Sequence, residues 1–293
     1  MKVLLLGETG FLGRHIVQAL VEAGHEVASP TPPPGKTVWD MAQALNPADW
    51  MPHLAGVGAV INAVGVLRDT RRRPMWPIHA DAPTALFRAC ANAGVRRVIQ
   101  VSALGVAHNP TAYARSKRLA EAQLMAAAQG GALSPVVLRP SIVVGAGGAS
   151  TALFGAFSAL PWLLLPEPVA KGLVQPVGVD DLAEGCARLL GARADITGVV
   201  AAVGPEVFSV EALIASWREA RGAAPARVAH LPARLSRWSA RLADCVPVTP
   251  WGSETLALLS QPNTASADGW AGVLGRAPVS VRAWPQEGVP YAC

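Results

Sequence analysis

Tyr113 and Lys117 stand four residues apart at the start of Tyr113–Ala128, a long Ala-rich segment that predicts a helix. Positions i and i+4 share one helical face. A Lys ammonium beside a Tyr hydroxyl favours the phenolate by opposite charge. A phenol lowered in this way can pass a proton to or from a substrate alcohol or carbonyl. The same ammonium can hydrogen-bond a cofactor ribose. Tyr113 is one of only two tyrosines, the other being Tyr291 near the C-terminus. Alone, Tyr-x-x-x-Lys is a common accident, so its weight depends on the company it keeps.

That company begins with Gly7, Gly10 and Gly13, spaced three apart behind the apolar run Val3–Leu6. Glycine permits positive φ and close backbone approach. A helix starting there points its free N–H groups and positive dipole end at whatever binds. The chemistry is that of a phosphate cradle, and the ligand expected is a nucleotide. The bland alternative is an ordinary glycine turn, and context decides against it. Phe11–Ala23 carries Leu12, Ile16, Ala19, Leu20 and Ala23 at helical spacing, Gly24 is a stop, and His25–Ala28 starts a second apolar strand. Strand, glycine turn, helix and strand form the setting that the fingerprint requires.

The elements that must position these groups alternate along the chain. Thr37–Trp39 reads as a short strand ending at Asp40, Ala59–Asn62 as the next, and Ala82–Ala93 as a helix stopped by Gly94. Arg97–Ser102 and Val136–Leu138 continue the strands, the latter leading into Arg139-Pro140. Such alternation argues an α/β fold with a doubly wound parallel sheet. Past Gly145 the pattern loosens to a short strand at Val174–Val177, a helix from Val179 to Leu190 and a return to the sheet at Gly198–Val203. We expect a nucleotide-binding domain over residues 1–204, with an apolar insertion near 146–173. A small, mainly helical lobe over 205–293 would hold Trp217, Trp238, Trp251, Trp270 and Trp284, in pieces such as Val210–Ala220 and Leu231–Ala243.

Composition narrows the function classes. With 293 residues, 51% hydrophobic and 15% charged, a sizeable core is easily built. No two of Cys90, Cys186, Cys245 and Cys293 are spaced as a metal or redox pair, so no metal site and a reducing, cytoplasmic setting are expected. Met1 leads directly into the first strand, leaving no room for a signal peptide. The net charge is +5, and Arg71-Arg72-Arg73 is the only dense basic run, read as a solvated loop. No aromatic residues interleave with bases, which argues against nucleic acid. From Pro140 to Pro166 there is no charged residue, but a Gly/Ser-rich first half and Pro161 make a poor membrane span. There Phe154, Phe157, Leu160, Trp162 and Leu163–Leu165 could line an apolar pocket, an interface or a shallow peripheral membrane contact. A buried core segment is an equal alternative.

Gly7-x-x-Gly10-x-x-Gly13, Asp40-Met41, Asn62-Ala63-Val64-Gly65, Val101-Ser102-Ala103, Tyr113-x-x-x-Lys117 and Leu138-Arg139-Pro140-Ser141 follow one another in the order of the short-chain dehydrogenase/reductase superfamily, which the chain resembles. Val174–Asp181 looks like its extended and atypical members, relatives of the NAD-dependent epimerases and dehydratases. Ser102-Ala103-Leu104-Gly105 and Tyr113-x-x-Ser116-Lys117 are similar to the atypical branch of the 39 kDa subunit of respiratory complex I. The resemblance implies a Rossmann sheet with a C-terminal substrate lobe, and homodimers are common within it. It implies that Gly7, Gly10 and Gly13 hold a pyrophosphate, that Asp40 bonds the adenine amino group and that Met41 packs on the ring. Ala63 and Gly65 would lie along a ribose, and Lys117 would hold the nicotinamide ribose. Tyr113 would be the acid/base with Ser102 beside it, and the backbone after Pro140 would face the carboxamide. Thr9, Phe11, Leu12, Arg14, Val64, Val101 and Ile142 complete the implied cofactor set. Three positions depart from the pattern. Glu8 sits inside the phosphate loop, His79 stands where relatives often place Asn and is read as a helix-entry residue, and Ser102 is only eleven residues before Tyr113.

An acid about 20 positions after the first glycine usually takes the ribose 2′-hydroxyl and selects NAD. Residues 27–35 hold none, and Arg14 and Lys36 are the nearby cations. A cation without a carboxylate suits a 2′-phosphate, so NADP is expected over NAD. The leading function is an NADP-dependent oxidoreductase or epimerase acting on a small, hydrophobic carbonyl or alcohol. The alternative is a non-catalytic NADPH-binding structural or redox-sensing subunit of a larger, membrane-associated assembly.

Overall fold

The computed structural model describes residues 1–32, 39–244 and 251–282. The first half runs β1 (Lys2–Leu6), α1 (Phe11–Glu22), β2 (Glu26–Ala28), α2 (Pro47–Trp50), β3 (Ala59–Asn62), α3 (Ala82–Ala93), β4 (Arg97–Val101), α4 (Ala112–Ala127) and β5 (Ser134–Pro140). The second runs β6 (Val143–Val144), α5 (Ala149–Ala159), β7 (Trp162–Pro166), α6 (Glu167–Ala170), β8 (Leu173–Val174), β9 (Val177–Gly178), α7 (Val179–Leu190), β10 (Gly198–Ala202), β11 (Phe208–Ser209), α8 (Val210–Ala220), β12 (Arg227–Leu231), α9 (Ala233–Asp244), α10 (Ser253–Leu259) and α11 (Asp268–Leu274).

Successive residues of a strand face opposite sides, so an unbroken apolar run needs cover on both. Val3 and Leu5 join one apolar cluster with Ile16 and Leu20 of α1, Leu182 of α7 and Trp270 of α11. Leu4 and Leu6 join another with Trp50, Leu86, Phe87 and Leu124 of α2, α3 and α4. Each fully buried Leu, Ile or Phe contributes roughly 1.5–3 kcal/mol. The sheet between these layers has the order β10-β5-β4-β3-β1-β2, and every pairing in it is parallel. Hence the ends of β1, β3, β4 and β5 open on one edge. Arg97 pins α7 to this sheet: buried at the start of β4, its Nε donates to the Leu189 carbonyl at 3.0 Å and Nη1 to the Ile196 carbonyl at 2.8 Å.

A third cluster packs Phe154, Leu163, Leu165 and Val169 with Leu213, Trp217, Leu256 and Val281. The charge-free stretch is thus divided by strand alternation. Leu163 and Leu165 are buried, while Leu160, Trp162 and Leu164 are exposed.

Two local expectations change. The strand expected at Val174–Val177 is two short ones, β8 and β9, because Pro176 between them has no N–H to donate. Of the strand expected at Thr37–Trp39, Thr37 and Val38 lie outside the described residues and Trp39 is irregular, packed edge-on against Trp50 and His53 at 5.6 and 4.5 Å. Lys36, Cys245, Trp284, Tyr291 and Cys293 also lie outside them. Among the described residues no helix is long and apolar enough to cross a membrane, and no three His, Cys, Asp or Glu side chains are grouped to hold a metal ion.

Candidate active site

The turn after β1 needs its glycines for separate reasons. Gly7 has φ +85°, a region closed to most side chains, and its carbonyl accepts from the Gly10 N–H at 2.9 Å. A Cβ on Gly13 would lie 1.9 Å from that same carbonyl oxygen. The turn delivers α1 with no side-chain cap and no acid in its first turn, so its leading N–H groups are left for a ligand. Glu8 is half-buried in this loop, and Thr9 is exposed on it.

A second glycine loop, Gly145–Gly148, lies against the same helix. A Cβ on Gly147 would meet the Arg14 guanidinium at 2.7 Å, and one on Gly148 would meet the Phe11 ring at 2.8 Å. His15 reaches Asp180 at 3.0 Å beside it. Sequence reasoning missed this loop, although Gly145-Ala146-Gly147-Gly148 is a visible cluster. Leu12 packs against the α1–α7 side of the core.

At the other end of the sheet edge, β2 leads into Ser29, Pro30, Thr31 and Pro32, with no carboxylate. The Thr31 N–H donates to His53 Nδ1 at 3.4 Å. Asp40 caps the one-turn helix Met41–Gln43, its Oδ1 accepting from the Ala42 N–H at 3.0 Å. Met41 is buried in the α2–α3 cluster.

Between these ends the loops after β3 and β4 converge on α4. Asn62 Oδ1 accepts from the Val64 N–H at 3.1 Å and its Nδ2 donates to Gln100 at 2.8 Å, which fixes the course of Ala63-Val64-Gly65. Lys117 Nζ, buried, donates to the Val101 carbonyl at 3.1 Å and the Val64 carbonyl at 3.4 Å. A Cβ on Gly65 would come within 3.3 Å of Nζ and 3.6 Å of His79 Nε2. Glycine there lets both approach. Burial draws the Lys117 ammonium down to about 8, partly offset by the Glu121 charge.

His79 does more than start a helix. It sits in a π turn, Pro77–Asp81, ahead of α3. Its Nε2 accepts from the Val66 N–H at 2.8 Å, so the ring proton is on Nδ1, which donates to Ser116 Oγ at 3.0 Å. Ser116 in turn donates to the Tyr113 carbonyl at 2.9 Å. Burial, then the neighbouring Lys117 charge, holds His79 near 2, so it stays neutral.

Tyr113 is half-buried, edge-on to His79 at 5.4 Å and packed on Val66, Met75 and Ile78. The sequence pairing with Lys117 predicts a lowered phenol, but burial pushes it up to about 12. The ammonium is directed at two backbone carbonyls instead. Ser102 follows Val101, and its Oγ is buried with no partner among the described residues. A buried hydroxyl left so costs about 1–3 kcal/mol unless a ligand satisfies it. Pro140 ends β5 opposite Ala202, and Ile142 follows, half-buried, its carbonyl accepting from the Val177 N–H at 3.0 Å. Helix α10 reaches this edge. Glu254 accepts from the Ala112 N–H at 2.9 Å, beside a cavity of about 210 Å³ lined by Asp69, Thr70, Met75, Ala112 and Thr255. A larger concavity of about 700 Å³ between α1 and α7 shares none of these residues. The glycine cradle, the uncapped helix, the inward Lys117 and the orphaned Ser102 hydroxyl together fit a dinucleotide lying along the strand ends.

Residues 3–200 match the model of the NAD dependent epimerase/dehydratase family. The chain is similar to NADH dehydrogenase [ubiquinone] 1 alpha subcomplex subunit 9, mitochondrial: 26% identical over 269 residues in the Rattus norvegicus protein, 84% of this chain and 68% of that one. For the same-named Arabidopsis thaliana protein it is 29% over 157 residues, 48% of this chain and only 38% of that one. It is 28% identical over 260 residues to the Homo sapiens epimerase family protein SDR39U1, 79% of this chain and 83% of that one. Among solved structures, MoeE5 in complex with UDP-glucuronic acid and NAD superposes with a TM-score of 0.71 at 20% identity, covering 97% of this chain and 96% of that one, which is a likeness of fold.

Proposed function

This chain belongs to the NAD dependent epimerase/dehydratase family, and on that premise we propose that it is an NADPH-dependent oxidoreductase that reduces a small carbonyl substrate with Tyr113 as proton donor. The observation that carries the reading is the buried Lys117 ammonium between the Val64 and Val101 carbonyls, one residue from the unpartnered Ser102 hydroxyl. Gly7, Gly10, Gly13 and the start of α1 hold the pyrophosphate, Arg14 adds a cation beside them, and Lys117 holds the nicotinamide ribose. The nicotinamide, when bound, supplies the hydride. A phenol is protonated at neutral pH, so Tyr113 Oη can give a proton to a carbonyl oxygen, although burial, which pushes it up to about 12, makes it a weaker acid than a free phenol. It is poorly suited to taking one from an alcohol. Ser102 Oγ donates to the same oxygen. The lack of a carboxylate after β2 supports NADPH over NADH. The cavity beside Ala112 mixes apolar Leu67 and Met75 with Asp69, Thr70, Glu254 and Thr255, and none of its lining comes from the charge-free stretch.

A second reading, a non-catalytic NADPH-binding subunit, is favoured by the likeness to the complex I subunit 9 proteins. The test is NADPH oxidation over a panel of carbonyls, quinones and nucleotide sugars, with cofactor titrations alongside. Turnover that Tyr113→Phe abolishes, at unchanged NADPH affinity, supports the oxidoreductase. Tight NADPH binding without turnover of any panel member supports the subunit. Tighter NADH than NADPH binding overturns the cofactor assignment.

A further inference from the structure

We propose that the C-terminal lobe carries a docking face for an anionic phospholipid bilayer, centred on α9. This does not depend on the oxidoreductase reading. Helix α9 buries Ser236 and Ala240 on its inner side. Leu235, Trp238 and Leu242, at i, i+3 and i+7, form one stripe on the outer side, and they are 54%, 67% and 64% exposed. A Trp and two Leu left so open, in register on one helix, have no role in the folded core. Arg234, Arg237 and Arg241 repeat at the same interval along the flank of that stripe. All three are exposed, and none pairs with a carboxylate among the described residues.

Strand β12 runs into α9 through Pro232, and its neighbour β7 presents more of the same chemistry. Trp162 and Leu164 are each 65% exposed, and the Arg227 guanidinium lies 4.8 Å above the Trp162 ring. Arg237 and Arg241 also border a cavity of about 420 Å³ with Pro168, Ser253, Leu256 and Ser260, giving a headgroup phosphate two guanidiniums to meet.

The charge pattern selects the occupant. A second copy docking through this same face would bring its own Arg row to the interface, and neither row pairs with a carboxylate among the described residues. A bilayer surface instead takes Trp and Leu into the acyl boundary and offers phosphates to the flanking arginines. At twelve residues α9 lies in such an interface and does not span it.

The test is flotation of the full chain with phosphatidylcholine vesicles, with and without phosphatidylglycerol. The proposal expects binding to the anionic vesicles that high salt releases. Joint Arg234→Gln, Arg237→Gln and Arg241→Gln should weaken it about a hundredfold. Joint Trp238→Ser and Leu242→Ser should weaken it at least about tenfold. Both variants should keep wild-type circular dichroism and NADPH affinity, since every changed residue is exposed and outside the cofactor edge. Absence of wild-type flotation, equal binding to neutral vesicles, or unaltered binding by both variants overturns it. A concentration-dependent dimer that the Ser variant disperses, without flotation, assigns the face to a second copy instead.

Discussion

His79 Nδ1 lies 3.0 Å from Ser116 Oγ, and this contact ties the turn before α3 to the helix that carries Tyr113 and Lys117. Because Nε2 is taken by the Val66 N–H, one neutral imidazole spans the β3 loop and α4. His79→Ala should cost about 2–4 kcal/mol, from the cavity and from two buried groups left unpaired. Urea unfolding measures this; a loss below about 0.5 kcal/mol would mean that the bridge is not holding the site.

The same imidazole should make the protein acid-sensitive. Its folded value is near 2 against an ordinary 6.5, so between these pH values the unfolded chain binds a proton that the folded one does not. Stability therefore falls as pH drops from 6.5 toward 2. His79→Gln should remove up to one proton from the slope of stability against pH in that window. An unchanged slope would assign the acid sensitivity to other groups.

Lys117 titrates with the same sign at higher pH. Held near 8 against an ordinary 10.5, its charged form is disfavoured by folding, so stability should rise as pH climbs from 8 to 10.5. Lys117→Met should flatten that rise without lowering stability at pH 7, while weakening NADPH binding. A destabilised Lys117→Met protein would show that the two carbonyl hydrogen bonds outweigh desolvation.

Gly13→Ala should fail for steric reasons, since its Cβ would meet the Gly7 carbonyl oxygen at 1.9 Å. We expect a loss of about 1–3 kcal/mol and of nucleotide binding together. Gly105→Ala, where an added Cβ meets nothing within 4 Å, is the control and should stay within about 0.5 kcal/mol. Equal effects in calorimetry and cofactor titration would discard the cradle argument.

The strands, the glycine turn and the face shared by Tyr113 and Lys117 are legible in the chain because each is a local matter. Val3–Leu6 is apolar without a break, so it must be covered on both sides, and four residues along a helix return to the same face. The order of the sheet decides the rest. The charge-free stretch could not declare itself, since its division between core and surface depends on β12 pairing with β7. His79 read as a helix-entry residue because its partners, Val66 and Ser116, lie 13 and 37 positions away. The expected lowering of Tyr113 failed for a related reason. Spacing placed a cation next to a phenol, but only the folded loops showed that Val64 and Val101 receive its hydrogen bonds and that burial sets both groups. Local backbone chemistry wrote the cradle and the helix face; desolvation and long-range pairing, which exist only once the sheet is assembled, decided the protonation of what sits there.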